Sequence, residues 1–265
     1  MRILVRGGGD LASGVVVRLH RAGWQVIVAE LPQPLAVRRY VSFAQAVYDG
    51  SIKVEEVHAR LINNMADAEL VLSQRAVPVI IDPSLSMLEA YSPHVLIDGR
   101  MRKKNPEIGM NAAPFVIGLG PGFTAKRDCH AVIETNRGPF LGRVIWEGQA
   151  QADTGVPEHV GNFRAERVLR APIAGVLESR TDIGKYVLQG DVIALIDDQP
   201  ILAPFNGVLR GLAHPGLMVK KGEKIGDVDP RNDPRLCWMV SDKALSVGGG
   251  VLEAILAWKP IHQHV

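Results

Sequence analysis

Between Ala171 and Asp229 the chain repeats itself at an offset of 32 residues. Ala171, Pro172, Gly175, Val176 and Leu177 recur as Ala203, Pro204, Gly207, Val208 and Leu209. Gly184, Val187, Gly190 and Ile193 recur as Gly216, Val219, Gly222 and Ile225, and Asp191 recurs as Glu223. The register holds without a gap, which chance explains poorly. Each copy reads as a bend, a strand, a glycine turn and a strand. Two such copies can close on each other and bury one shared core.

Ahead of the repeat the texture is different. Ile3 to Val5 reads as a short buried strand that Gly7-Gly8-Gly9 breaks. Leu11, Val15, Val16, Leu19 and Ala22 recur at helical spacing, Gly23 supplies a stop, and Val26 to Ala29 is a second strand. Strand, glycine turn, helix, strand is half of a doubly wound α/β sheet. Phe43–Val47 and Asn64–Gln74 read as helical and Ser51–Val57 as a strand. The apolar runs Val77–Ile81, Val95–Ile97 and Phe115–Leu119 end at Asp82-Pro83, Asp98-Gly99 and Gly120-Pro121-Gly122. Strands ending in such turns collect on one rim, where open α/β sheets bind ligands. The expected organisation is a Rossmann-like α/β domain over residues 1–165, an all-β repeat module over 166–232 and a helical segment over 233–265. Its last helix, Leu245–Leu256, is weakened by Gly248-Gly249-Gly250.

A chain of 265 residues with 47% hydrophobic and 22% charged residues can bury one large core or two ordinary ones. Its formal net charge of +2 argues against a broad nucleic-acid-binding face. Cys129 and Cys237 stand alone, without a CxxC partner, and read as free thiols in a reducing compartment rather than zinc ligands. No export signal is evident at Met1-Arg2, and no run approaches the roughly 20 apolar residues that cross a bilayer. The expectation is a cytoplasmic protein with no membrane partner.

Gly7-x-Gly9-x-x-Ala12 fits a GxGxx[GA] fingerprint in its required place, after a strand and before a helix. Glycines there let backbone N–H groups approach a phosphate, and the helix N-terminus adds partial positive charge. Glu30, 23 residues after Gly7, ends the second strand where a carboxylate can accept a ribose hydroxyl. The alternative is a tight turn with Asp10 as helix cap; a carboxylate at Asp10 would repel a phosphate. Arg38-Arg39 is either a second phosphate contact or a solvated basic turn. Asp98–Asn105 packs four cations behind a strand end and reads first as an exposed charge run, second as an anion loop. Gly118, Gly120 and Gly122, followed by Phe123, form a second glycine loop. Asp128, His130 and Glu134 alternate onto one face of an expected strand, as an acid/base pair, a metal site or simply a wet face. Arg137 sits in the turn that follows.

The repeat resembles the biotinyl/lipoyl barrel, a barrel-sandwich hybrid. A swinging-arm carrier of that kind presents a lysine at the hairpin joining its halves. Here the hairpin is Ile196-Asp197-Asp198-Gln199-Pro200-Ile201, without lysine, so covalent biotin or lipoate is excluded. Four stretches together resemble a second family: Arg6–Gly14, Pro34–Arg39, Gly118–Phe123 and His130–Gly138. It is the selenium-dependent molybdenum hydroxylase system accessory proteins, relatives of the xanthine dehydrogenase accessory proteins. The resemblance implies a maturation factor that binds molybdenum cofactor, as molybdopterin or its dinucleotide, and assists its modification or insertion. It implies a molybdenum hydroxylase or another maturation protein as partner, with a homo-oligomer also open. Taken with the motifs above, the expected site residues are Gly7, Gly8, Gly9, Asp10, Leu11, Ala12, Glu30, Arg39, Gly118, Gly120, Gly122, Phe123, His130, Glu134 and Arg137. It names no catalytic residue and no metal ligand. The alternatives are an NAD(P)-dependent oxidoreductase, for which no catalytic constellation is evident, and a non-catalytic scaffold. Cys129 departs from the family pattern, as a sulfur-handling thiol or a small buried side chain.

Overall fold

Arg2–Arg6 forms strand β1, and Asp10–Arg21 forms helix α1 after a turn that Gly7 makes at a φ of +93°. In this computed structural model, residues 1–102, 106–153 and 166–258 are described. The expectations for Lys103, Lys104 and Asn105 and for the boundary at residue 165 lie outside them. Gln25–Glu30 is β2, Ser51–Val54 β3, Val57–Ile62 β4, Val77–Ile81 β5 and Val95–Asp98 β6. Phe115–Leu119 is β7, Thr124–Ala125 β8, Ala131–Ile133 β9, Val144–Ile145 β10 and Gly148–Gln149 β11. The helices between them are α2 (Ala46–Asp49), α3 (Ala66–Ser73) and α4 (Leu88–Tyr91). Ile3, Leu4 and Val5 are all fully buried, as a central strand covered on both faces must be.

The chain divides into two units, Met1–Pro34 with Ser42–Thr154 and Val240–Val265, and Leu35–Val41 with Gly155–Met239. The first is built on a nine-stranded sheet ordered β10-β9-β7-β6-β1-β2-β5-β4-β3. Its inner pairs are parallel, but β3–β4 and β10–β9 are antiparallel. This corrects the expected Rossmann-like domain. The sheet is mixed, and β4 lies outside β5 rather than beside β2 as the doubly wound order requires. The reason is local. Ser51–Val57 reads as one strand, but Glu55 at a φ of +52° turns it into a hairpin pairing Val54 with Val57. Helix α5, Asp242–Ala257, belongs to this unit and crosses α1, where a Cβ on Gly14 would lie 2.5 Å from the Ala244 Cβ.

The second unit holds β12 (Val168–Arg170), β13 (Gly175–Ser179), β14 (Tyr186–Val187) and β15 (Val192–Ile196). It continues with β16 (Gln199–Leu202), β17 (Gly207–Leu212), β18 (Met218–Val219) and β19 (Lys224–Asp229). The repeat is visible in the pairing. Gly175 pairs with Val219 and Val176 with Met218; Gly207 pairs with Val187 and Val208 with Tyr186. Each copy therefore completes the other. The expected biotinyl/lipoyl-like barrel is nonetheless corrected to two four-stranded antiparallel sheets, β12-β19-β17-β14 and β16-β15-β13-β18. They share no strand. At the hairpin Asp197-Asp198 the Asp197 carboxylate accepts the Val176 N–H at 3.0 Å. Residues 35–41 are stapled into this unit: Arg38 donates to the Leu236 and Met239 carbonyls, and Tyr40 stacks on Trp238. Among the described residues no helix is long and apolar enough to cross a membrane.

Candidate functional site

The C-terminal ends of the parallel strands put Arg6, Glu30, Asp82, Asp98, Gly120 and Glu134 on one rim of the first unit. At its centre is the glycine turn. Gly7 N–H continues the ladder to the Ala29 carbonyl at 2.8 Å. Gly8 N–H donates to Glu30 Oε2 at 2.6 Å, and the Gly8 carbonyl accepts from Ala44 N–H and Ser13 Oγ. A Cβ on Gly8 would stand 2.8 Å from the Ala44 nitrogen. Gly7 and Gly8 thus have structural reasons to be glycine. Gly9 has none. As the N-cap of α1 it has extended backbone angles of −68° and 176°, and nothing lies within 4 Å of a Cβ built there. The N–H groups of Gly9 and Leu11 meet no acceptor among the described residues. Ala12 is buried, its Cβ 2.8 Å from a Cβ built on Gly99, and Asp10 stands in the first turn.

Glu30 is not a free carboxylate. Its second oxygen accepts the Leu31 N–H at 2.7 Å, and burial pushes its pKa above the usual range against those two donors. Glu134 has the same role in a neighbouring loop, accepting from Asn136 and Gln151 N–H at 2.7 Å each. Gly120 follows β7 and Gly122 lies two residues on, while Met101 and Thr135 close over Gly120. Gly118 lies inside β7 against the ring of Phe123, a core residue only 5% exposed.

The remaining expected site residues are elsewhere. His130 precedes β9, at its opposite end from Glu134, and its Nδ1 accepts the Val116 N–H at 3.0 Å. Burial lowers its pKa. Asp128 caps Thr124 N–H at 2.8 Å and pairs with Arg127. The Asp128–His130–Glu134 face therefore does not converge, and no group of three or more His, Cys, Asp or Glu side chains is placed to hold a metal ion among the described residues. Arg137 pairs with Asp242 at the start of α5. Arg39 belongs to the second unit, where it donates to the Leu212 carbonyl and lies over the Tyr40 ring. Two clefts of about 590 and 550 Å³ open beside Arg2 and Gln25 and beside β3 and β4, away from the glycine turn.

Sequence reasoning passed over Arg6, Ser13 and Glu107. Arg6 entered the sequence reading only as the first residue of the Arg6–Gly14 stretch. Its position, a cation ending a buried strand directly before a glycine turn, is the signal that was there to find.

No protein-family model matches the chain. Uncharacterized protein YqeB of Escherichia coli (strain K12) is 48% identical over 254 residues, covering 96% of this chain and 47% of that protein. The chain thus spans about half the length of the curated relative it matches. Among solved structures it is similar to a succinylglutamatedesuccinylase/aspartoacylase from Rhodobacter sphaeroides, 24% identical over 34% of this chain and 31% of that one, TM-score 0.23. It is also similar to an aspartoacylase family protein from Mesorhizobium loti, 11% identical over 86% and 84%, TM-score 0.28. A third is a succinylglutamate desuccinylase from Silicibacter sp. TM1040, 13% identical over 86% and 84%, TM-score 0.24. TM-scores of this size lend the chain no activity. The names correct the family resemblance drawn from the sequence: they are not those of molybdenum hydroxylase accessory proteins. The selenium-dependent and molybdenum hydroxylase maturation roles are set aside with it.

Proposed function

We propose that the first unit binds a phosphate-bearing small molecule of the nucleotide class at the N-terminus of α1. The observation that carries this reading is Gly9. Neither backbone conformation nor packing asks for glycine there. A Ser, Thr, Asp or Asn at the same N-cap would add a few tenths of a kcal/mol of helix stability. The bare position leaves the N–H groups of Gly9 and Leu11 uncommitted among the described residues, at the partially positive end of the helix. Glu30 and Ser13 hold the loop in that shape from below. A cytoplasmic setting accords with the two cysteines, which are free and buried.

Calorimetric titration with ADP and with NAD⁺ tests the proposal. Gly9→Leu should fold as the parent does and lose binding by roughly ten-fold or more, about 1.4 kcal/mol. Equal binding by Gly9→Leu, or no binding of either nucleotide to the parent protein at millimolar concentration, would overturn it.

A further inference from the structure

Arg6 is the least satisfied buried ion on the rim. Its side chain is 7% exposed, its Nη2 donates to the Pro83 carbonyl at 2.7 Å, and its Nε and Nη1 meet no hydrogen-bond partner among the described residues. A buried guanidinium in that state costs free energy unless something compensates it. Asp98, beside it on β6, is committed elsewhere: Arg100 grips both its oxygens, Nε to Oδ1 at 3.0 Å and Nη2 to Oδ2 at 2.7 Å. Arg6 Nη1 stays 3.9 Å from that carboxylate. The Asp82 carboxylate is likewise occupied, by Ser86 and Met87 N–H and the Ser84 and Ser86 hydroxyls.

What completes the cluster is Glu107. Its carboxylate takes Arg6 Nη2 at 3.3 Å and Arg100 Nη1 at 2.9 Å, and it also pairs with Arg102. Three arginines thus meet on one carboxylate that comes from a loop and is half exposed. Among the described residues, Arg6, Arg100 and Arg102 paired with Asp98 and Glu107 leave one positive charge in excess, and two once Glu107 swings away. Forked guanidinium donors around a vacated oxyanion position match a phosphate group in geometry and in charge. We propose that Arg6, Arg100 and Arg102 form a phosphate subsite in which Glu107 is a displaceable internal counter-ion. The subsite uses none of the N–H donors of the α1 terminus, so it stands or falls apart from the nucleotide reading. Arg100 passes directly over Gly7, its Cγ 3.1 Å from a Cβ built there, which sets the two positions side by side.

Inorganic pyrophosphate is the probe, titrated against the parent protein, Glu107→Gln and Arg102→Gln, with succinate as the carboxylate control. Removing the internal competitor in Glu107→Gln should tighten pyrophosphate binding roughly five-fold, about 1 kcal/mol. Arg102→Gln, at an exposed position, should weaken it by a similar factor. The subsite is refuted if Glu107→Gln binds no more tightly than the parent, or if neither binds at 10 mM pyrophosphate, roughly the weakest contact worth assigning. Succinate binding more tightly than pyrophosphate overturns the phosphate assignment.

Discussion

Cys129 and Cys237 show how burial decides the chemistry of a side chain. Cys129 is fully buried, its Sγ 3.9 Å from the Thr124 carbonyl, and burial pushes its thiol up to about 12. Burial also raises Cys237, whose Sγ faces the Leu209 carbonyl. The thiolate is the nucleophile, and at pH 8 only about 10⁻⁴ of a thiol with that pKa is ionised. Cys129 is therefore a small core residue. Native protein should react with an aromatic disulfide reagent at pH 8 only after denaturant is added, releasing two thiols. Fast modification of Cys129 in the native state would contradict its burial. Glu30 and Glu134 teach a related lesson: at a rim, a carboxylate can serve as the acceptor that shapes a loop rather than as the group that meets a ligand.

At the scale of elements, α5 is the test of propensity against packing. It runs unbroken through Gly248, Gly249 and Gly250, each about 1 kcal/mol poorer than Ala in a helix. A Cβ on Gly248 would lie 2.8 Å from both Arg18 Cγ and the Gly14 carbonyl oxygen, so this glycine admits α1. Gly249 faces nothing within 4 Å. Gly249→Ala should raise stability by about 0.5–1 kcal/mol, whereas Gly248→Ala should lower it by roughly 1–3 kcal/mol through overpacking. Urea unfolding midpoints of the two variants decide this; similar shifts of one sign would show that the crossing is not tight. The helix was legible in the sequence because its apolar spacing is local. Its partner was not, since Arg18 and Leu245 stand 227 residues apart.

Across the whole molecule, acid behaviour follows from where the carboxylates are. Hydrogen bonds from Arg21 hold Glu56 at about 2. Burial pushes Asp82 and Asp229 up, but donors from Met87, Ser86 and Ser84 and from Arg231 outweigh it, and both end below the usual range. Each depressed group contributes stability that is present above its unfolded pKa, about 4, and is lost as pH falls through the folded value. Glu30 has the opposite sign, its raised pKa favouring the fold most when it is protonated. Asp128, Glu147 and Asp233 are depressed as well, so the depressed carboxylates outnumber the one raised and predict a melting temperature that falls steadily below about pH 4. A melting temperature unchanged down to pH 2.5, well below that unfolded value, would mean that these contacts do not form in solution.

The same division marks what could be read in advance. The β1–glycine–α1–β2 start and the 32-residue repeat were legible because they are spacings along the chain. The sheet order was not, because β5 inserts between β2 and β4 through pairings far apart in the chain, and Glu55 turns an expected single strand into a hairpin. Nor was the arginine cluster, because a charge run looks solvated until Glu107 and a buried Arg6 are seen to face it. Ten of the fifteen expected site residues lie at the rim and its glycine turns, while Gly118, His130, Phe123, Arg137 and Arg39 answer to packing and pairing.

The crossing of α1 and α5 also orders the making of the protein. Unit 1 is interrupted by unit 2, so α1 emerges from the ribosome long before the helix that covers it. Until Asp242–Ala257 is made, the Gly14 face of α1 has no cover from α5. A chain stalled in the second unit would therefore display that face, a mark by which unfinished copies can be told from finished ones.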